Sequence, residues 1–478
     1  MLFNSLAFAL FFPLVTVLYF VLPHRLRGPM LLIASCYFYM AFIPKYILIL
    51  ALTILVDYCA GLLIHRSAGR RRLVWLVISI VANVGVLAFF KYFNFINETI
   101  RTASAAAGIN YSVPVLNIIL PIGLSFHTFQ SMSYTIEVYR GRQEVERNLA
   151  RFALYVMFYP QLVAGPIERP QNLLPQFKVE HTFDYERAKA GLQLMAWGLF
   201  KKVAIADPLA QAVNLVYGDT ALYSGTALLV ATYLFAVQIY CDFSGYSDIA
   251  IGAAQVMGFR LMRNFDRPYF SQSISEFWRR WHISLSTWFR DYVYLPLGGN
   301  RVSAPRRLFN LMAVFTLSGL WHGANWTFVF WGALNGAYLV GSTVFAGARR
   351  SLVSWSGVDR VPLLHATLNR VWTFHLIVIS WIFFRASSLT DAIGVLHAIV
   401  TNRPGRSAVF ENPGGKTVIV LILATLMVCE MLQSRLNLRE FIASRPAIVR
   451  WPVYVASVFA LLLLGDFTSK QQFIYFQF

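Results

Sequence analysis

Apolar runs separated by short, mostly basic links take up most of the chain, and their order predicts its elements. Leu2–Leu22 is the first run, with His24, Arg25 and Arg27 closing it. It lacks a basic leader and a small-residue cleavage site, so it reads as a retained first helix rather than a signal peptide. Leu31–Phe42 (short for a span) and Tyr46–Ile64 follow, then the basic link His65–Arg72. Leu73–Phe93 leads to a weakly charged segment, Asn94–Ser112, and Val113–Val138 returns to the basic link Tyr139–Arg151. Basic links alternating with non-basic ones follow the positive-inside rule and place the N-terminus on the periplasmic or extracellular face. Ala188–Ile205, Tyr223–Ala254, Trp326–Val344, Val371–Phe384, Thr417–Met431 and Val453–Leu464 are further runs. At roughly 20 residues per crossing, the expected total is about ten to twelve spans. Gln433–Arg450, with Arg435, Arg439, Arg445 and Arg450, is expected on the cytoplasmic side, leaving the aromatic C-terminal tail outside.

Two stretches break this pattern. From Phe152 to Phe177 the chain carries Pro160, Gly165, Pro166, Pro170 and Pro175. Proline removes a backbone donor and interrupts a helix. The run is therefore expected as a re-entrant or interfacial element beside a cavity, where protein or enclosed water satisfies the backbone, or else as a surface loop. The second stretch is Ser271–Asn335. Ser273 followed by Glu276 predicts a capping box and a helix start. Trp278, Trp281, His282, Leu285, Trp288 and Phe289 then recur at helical spacing on one face, with Arg279, Arg280 and Arg290 beside it. This predicts one interfacial helix.

Composition supports a membrane protein: 57% of the 478 residues are hydrophobic and 13% charged, against roughly 25% charged in soluble domains. The fold expected is therefore an all-α polytopic membrane protein, a single domain over residues 1–478 without internal repeats. The net charge of +19 lies in short links rather than in one patch. It indicates topology and contact with anionic membrane lipids, not a nucleic-acid partner. Cys36, Cys59, Cys241 and Cys429 are widely spaced and form no CxxC, so neither disulfides nor zinc are indicated.

Polar residues at membrane depth are candidates for chemistry. His282 reads either as a core histidine held by a backbone carbonyl or as a functional group. His322 ends a long apolar run among Gly319, Trp321, Gly323 and Asn325. Burial disfavours a charged imidazole, and neutral imidazole is the form a general base needs. His322 is thus either such a base, taking a proton from an attacking hydroxyl, or structural. The two histidines are too far apart in sequence to ligate one metal from a single helix. Asp242 and Asp248 leave open an ion pathway in a transporter or polysaccharide-export component. No G-x-S-x-G, Walker A, H-E-x-x-H or G-x-G-x-x-G motif is present.

Five blocks, in order, carry a resemblance: FHTFQSMSYTIEVYRG (Phe126–Gly141), YPQLVAGPIERP (Tyr159–Pro170), YCDFSGYSDIAIG (Tyr240–Gly252), FWRRWHISLSTWFRDYVYLPLGGNR (Phe277–Arg301) and GLWHGANWTFVFWGALNG (Gly319–Gly336). Together they resemble the membrane-bound O-acyltransferases, and more narrowly the bacterial alginate O-acetyltransferase branch, with the teichoic-acid D-alanyl transfer protein more distant. The motif-bearing core covers about residues 115–385. The resemblance implies His322 as the catalytic histidine and His282 as the second histidine. It implies transmembrane, re-entrant and interfacial helices around a central tunnel that ends near His322. It also implies acetyl-CoA as a donor reached from the cytoplasm, no bound cofactor, and a polysaccharide acceptor on the outer side. Separate periplasmic acetyl-transfer proteins would complete the transfer at a bacterial inner membrane. A D-alanyl or other acyl cargo is the alternative within this class. Arg279 and Arg280 are candidates for the CoA phosphates or for anionic lipid, and Trp321, Asn325 and Asp242 for shaping the site.

Overall fold

The structure is a computed structural model that describes residues 1–163, 165–407, 409, 413–433, 441–442, 444–465 and 473–476. Of the basic loop expected over 433–450, Arg435 and Arg439 lie outside these residues. The protein is an all-α polytopic membrane protein. The β pairing among the described residues is one isolated bridge, Tyr223 to Arg406. The chain divides into two compact units, one of Met1–Met195 with Ser247–Arg263, the other of Ala196–Tyr246 with Asn264–Phe478.

Among the described residues five helices are long and apolar enough to cross a membrane: Pro44–Arg66, Arg70–Ala106, Gly225–Met257, Pro362–Arg385 and Ala447–Leu464. A sixth is counted if Trp326–Val344 and Ala346–Ser356, bent by 64°, form one broken span. The expected ten to twelve included apolar runs that fold as shorter or interrupted helices, such as Leu6–Val21, Leu389–Thr401 and Ile419–Gln433. The reason is local. In the run expected over Val113–Val138, helix begins only at Leu124. Pro114 and Pro121 lie upstream, and Gly123 turns the chain with φ 76°. Conversely, Asn94–Ser112 is not a loop throughout. A π turn at Ala88–Tyr92 continues the preceding helix into Phe93–Ala106.

In the first unit, the helices Ile47–Arg66, Arg70–Leu87 and Leu124–Tyr139 share a buried polar contact. The Asp57 carboxylate accepts from Ser79 Oγ at 2.6 Å, from Asn83 Nδ2 at 2.9 Å and from Ser131 Oγ. Buried polar groups need such partners, since an unmade bond costs about 1–3 kcal/mol. The proline-rich stretch is a buried, broken element rather than a surface loop: short helices at Leu149–Met157, Tyr159–Leu162 and Pro170–Gln176 flank non-helical backbone. A side chain satisfies part of that backbone, Tyr155 Oη donating to the Glu168 carbonyl at 3.0 Å, while Gln161 Nε2 donates to the Tyr155 carbonyl at the end of the first helix at 2.8 Å. Glu168, 1% exposed, accepts from Asn172 Nδ2 at 2.6 Å and from the Met262 backbone N–H.

In the second unit, the helices Ala304–His322 and Trp326–Val344 form a tight hairpin. A Cβ added at Gly319 would fall 2.2 Å from the Phe328 carbonyl oxygen, and one at Gly332 2.3 Å from that of Phe315. Small residues here let two backbones touch, the usual means of close helix packing where lipid supplies no hydrophobic drive. Ala447–Leu464 has no buried residue and presents its apolar side chains outward.

Candidate active site

The site is built where the second stretch departs from its predicted helix. The capping box forms in a shifted version: Ser273 Oγ accepts from Glu276 N at 3.2 Å, while Glu276 Oε2 reaches one residue past the cap to accept from the Gln272 N–H at 2.8 Å. The helix then stops after one short run, Ile274–Arg280, and a second begins at Ile283–Phe289. The single tryptophan-striped helix expected from periodicity is therefore two helices, and His282 does not ride its face. His282 is the joint, with φ 42° and ψ 56°.

Left-handed backbone at a non-glycine residue costs roughly 1–3 kcal/mol and persists only when its surroundings impose it. Here Asn264 imposes it. Its carbonyl accepts from Ile283 N at 2.9 Å, and its side-chain Oδ1 accepts from Ser284 Oγ at 2.9 Å. The Arg280 carbonyl, which a continuous helix would use itself, accepts from Asp266 N at 2.9 Å. The same Asn264 Oδ1 lies 3.1 Å from His282 Nδ1. An amide oxygen can only accept, so Nδ1 carries the proton and the lone pair of the neutral ring is at Nε2. Burial lowers the imidazole to about 3, which keeps it neutral. Its ring stands edge-on to Phe243, centroids 4.6 Å apart.

His322 is the last residue of its helix, held in place by the Gly319–Gly332 contact. Trp321, Trp331, Phe384 and Tyr475 surround its ring with centroids 4.9–5.5 Å away. It is 4% exposed. A helix C-terminus carries partial negative charge that favours an imidazolium by about 0.3–2 kcal/mol. That is the charge a base acquires when it takes a proton. Both histidines line one cavity of about 470 Å³ together with Trp278, Ser286, Ser318 and Arg279.

The other predicted residues divide. Trp321, 4% exposed, neighbours both imidazoles, its ring centroid 4.9 Å from that of His322 and 6.3 Å from that of His282. Arg279 is exposed and lines the cavity, whereas Arg280 is engaged by Glu276 at 2.6 Å. Asn325 caps the helix Trp326–Val344 by accepting from Thr327 N at 3.0 Å. Asp242 pairs with Lys202 at 2.7 Å and is not among the cavity-lining residues. Among the described residues no group of three His, Cys, Asp or Glu side chains is placed to hold a metal ion.

Sequence reasoning missed Asn264 and Tyr475. Asn264 sits in an irregular segment with no periodicity to mark it. Tyr475 lies in the aromatic tail, where the alternation of Phe473 and Tyr475 is the visible signal. Its ring is 5.5 Å from that of His322, 6.2 Å from that of His282 and 4.4 Å from that of Phe243.

Comparison with known proteins identifies the family. Residues 138–384 match the model of the membrane-bound O-acyltransferase family, a range that contains Asn264, His282 and His322. The chain is 42% identical over 395 residues to the probable alginate O-acetylase AlgI of Pseudomonas aeruginosa, covering 82% of this chain and 73% of that protein. It is 33% identical over 437 residues to the peptidoglycan O-acetyltransferase of Helicobacter pylori, covering 84% and 80%. It is 26% identical over 298 residues to the teichoic acid D-alanyltransferase of Streptococcus thermophilus, covering 58% and 70%. The family match and this extent of identity, on an apolar helical scaffold, place the chain in the membrane-bound O-acyltransferase family, as an enzyme that transfers acyl groups to oxygen.

Proposed function

We propose that the protein moves an acetyl group from cytoplasmic acetyl-CoA toward hydroxyls of an exported polysaccharide such as alginate, in a bacterial inner membrane. Periplasmic acetyl-transfer proteins complete the delivery. The observation that carries this reading is the single cavity shared by His322 and His282, with Arg279 among its lining residues. The guanidinium of Arg279 suits a CoA phosphate. His322 accepts the proton of the attacking hydroxyl as the new C–O bond forms. The thioester C–S bond breaks, and the departing thiolate takes up a proton. His282, neutral and fixed by Asn264, orients the reacting group through Nε2. Trp321, Trp331 and Phe384, packed around His322, keep water from the base. The names of the alginate and peptidoglycan relatives favour acetyl transfer to an envelope polymer.

The cavity also favours acetyl over D-alanyl cargo. Its lining includes Arg279 and Arg290 and no carboxylate. A D-alanyl group carries an ammonium, which desolvation and like charge would disfavour. Export or transport without chemistry, the other reading of Asp242, has no support in the cavity, whose lining does not include it.

The test is His322→Ala, scored by polysaccharide acetylation in a complemented deletion strain and by transfer from labelled acetyl-CoA in liposomes. Loss of a general base lowers the rate by about 10²–10⁴-fold. Normal membrane levels with that loss support the assignment. Full activity of the variant rejects His322 as the base, and solute flux without acyl transfer in the wild type rejects the enzyme reading.

A further inference from the structure

Lys201 and Lys202 are buried in a π turn, Phe200–Ala206, between the helices Tyr185–Leu199 and Asp207–Gly218. Such turns recur at functional sites. Lys202 Nζ lies 2.8 Å from Asp207 Oδ1 and 2.7 Å from Asp242 Oδ1, with all three side chains 1–3% exposed. Breaking a buried pair of this kind is costly because it strands a charge. Neither Lys202 nor Asp242 lines the cavity, and the chemistry above makes no use of the pair.

One further contact gives it a use. Asp242 Oδ2 accepts the backbone N–H of Ile474 at 2.8 Å. On one side of that amide, Phe473 is fully buried with its ring 4.4 Å from Tyr246. On the other side, Tyr475 meets Phe243 and reaches both imidazoles. Phe243 and Tyr246 come from the same helix as Asp242. The tail is thus held by a charge-assisted bond to its backbone, flanked by aromatic contacts. Bonds from N–H to a carboxylate are roughly twice as strong as neutral ones.

We propose that Lys202 and Asp242 are positioning residues for acyl transfer: the pair clamps the Ile474 backbone and thereby seats the Tyr475 ring against His322 and His282. Lys202 compensates the charge that the clamp requires in a dry interior. This rests on the acyltransferase reading of the two histidines for its consequence, not for its geometry.

The experiment combines amide hydrogen exchange with transfer from labelled acetyl-CoA, on the full chain in liposomes. Asp242→Ala speeds exchange of the peptide covering 473–476 by about tenfold or more. It lowers kcat by about tenfold while the donor KM changes by less than about threefold, the pattern of a misplaced group rather than a lost binding contact. Asp242→Asn, which keeps an acceptor oxygen, recovers most of both. Ile474→Pro removes the donor and leaves the ion pair intact, so it loses the same turnover even if Asp242→Ala does not fold. Unchanged exchange in Asp242→Ala, or wild-type turnover in Ile474→Pro, overturns the proposal. The exchange measurement needs no acyl donor, so it judges the clamp separately from the reaction.

Discussion

Asn264 accepts from the Nδ1–H of His282 across 3.1 Å and at the same time ties down the two residues that follow it. One side chain therefore sets both the tautomer and the left-handed backbone of the second histidine. Asn264→Ala removes both constraints and should lower kcat by about 10–100-fold, the size of loss that a misplaced reacting group produces. Asn264→Asp keeps an acceptor but places a charge beside the ring, which favours imidazolium. Its activity should fall away at higher pH than the wild type's on the acid side. A pH–rate profile checks this, and wild-type turnover in Asn264→Ala would sink the assignment.

Arg279 and Arg280 are neighbours in sequence but not in role. Arg280 is held by Glu276 at 2.6 Å, while Arg279 lines the cavity. If Arg279 meets the donor's phosphates, Arg279→Ala should raise the KM for acetyl-CoA by about tenfold with kcat little changed, since binding is lost equally in ground and transition states. The effect should shrink at high salt. Steady-state kinetics of Arg279→Ala and Arg280→Ala decide it: equal effects of the two remove Arg279 from the donor site.

Glu168 gives the proline-rich element a pH response. Burial raises its carboxyl from the usual 4.5 to about 7. Between those values the folded chain keeps a proton that the unfolded chain has lost. The stability this contributes is complete below the unfolded value and lost as pH rises through 7. The stability of the wild type relative to Glu168→Gln should therefore fall from about pH 4.5 to 7, with a slope of up to about 1.4 kcal/mol per pH unit, and level off above 7. His282 is common to both proteins and cancels in the comparison: its lowered value costs stability only as pH falls from about 6.5 toward 3. Parallel melting curves for the two proteins would show that the carboxyl is not shifted.

Much of the architecture was legible because lipid enforces a simple code. Helical content, the broken proline-rich element and the capping box at Ser273 could all be read from local chemistry. The failures share a cause: periodicity assumes that the backbone continues. It cannot see that Asn264, remote in sequence, intercepts a helix at His282, nor that Pro114, Pro121 and Gly123 withhold helix from an apolar run until Leu124. His322 and His282 were visible as polar residues in costly places, and Trp321 and Arg279 as their neighbours in the chain. Tyr475 was not, because its meeting with them depends on a tertiary contact made through Asp242.

The contact between Gly319 and Gly332 separates two kinds of constraint. His322 is located by backbone atoms of two helices, which no exchange of larger side chains can improve. The cavity beside it is shaped by side chains of those helices, among them Leu311, Val314 and Leu339. The lining can therefore be recut for a different acyl group while the base stays where it is. A scaffold divided in this way is a starting point for redesign: the hairpin seam is the part to leave alone, and the cavity wall the part to vary.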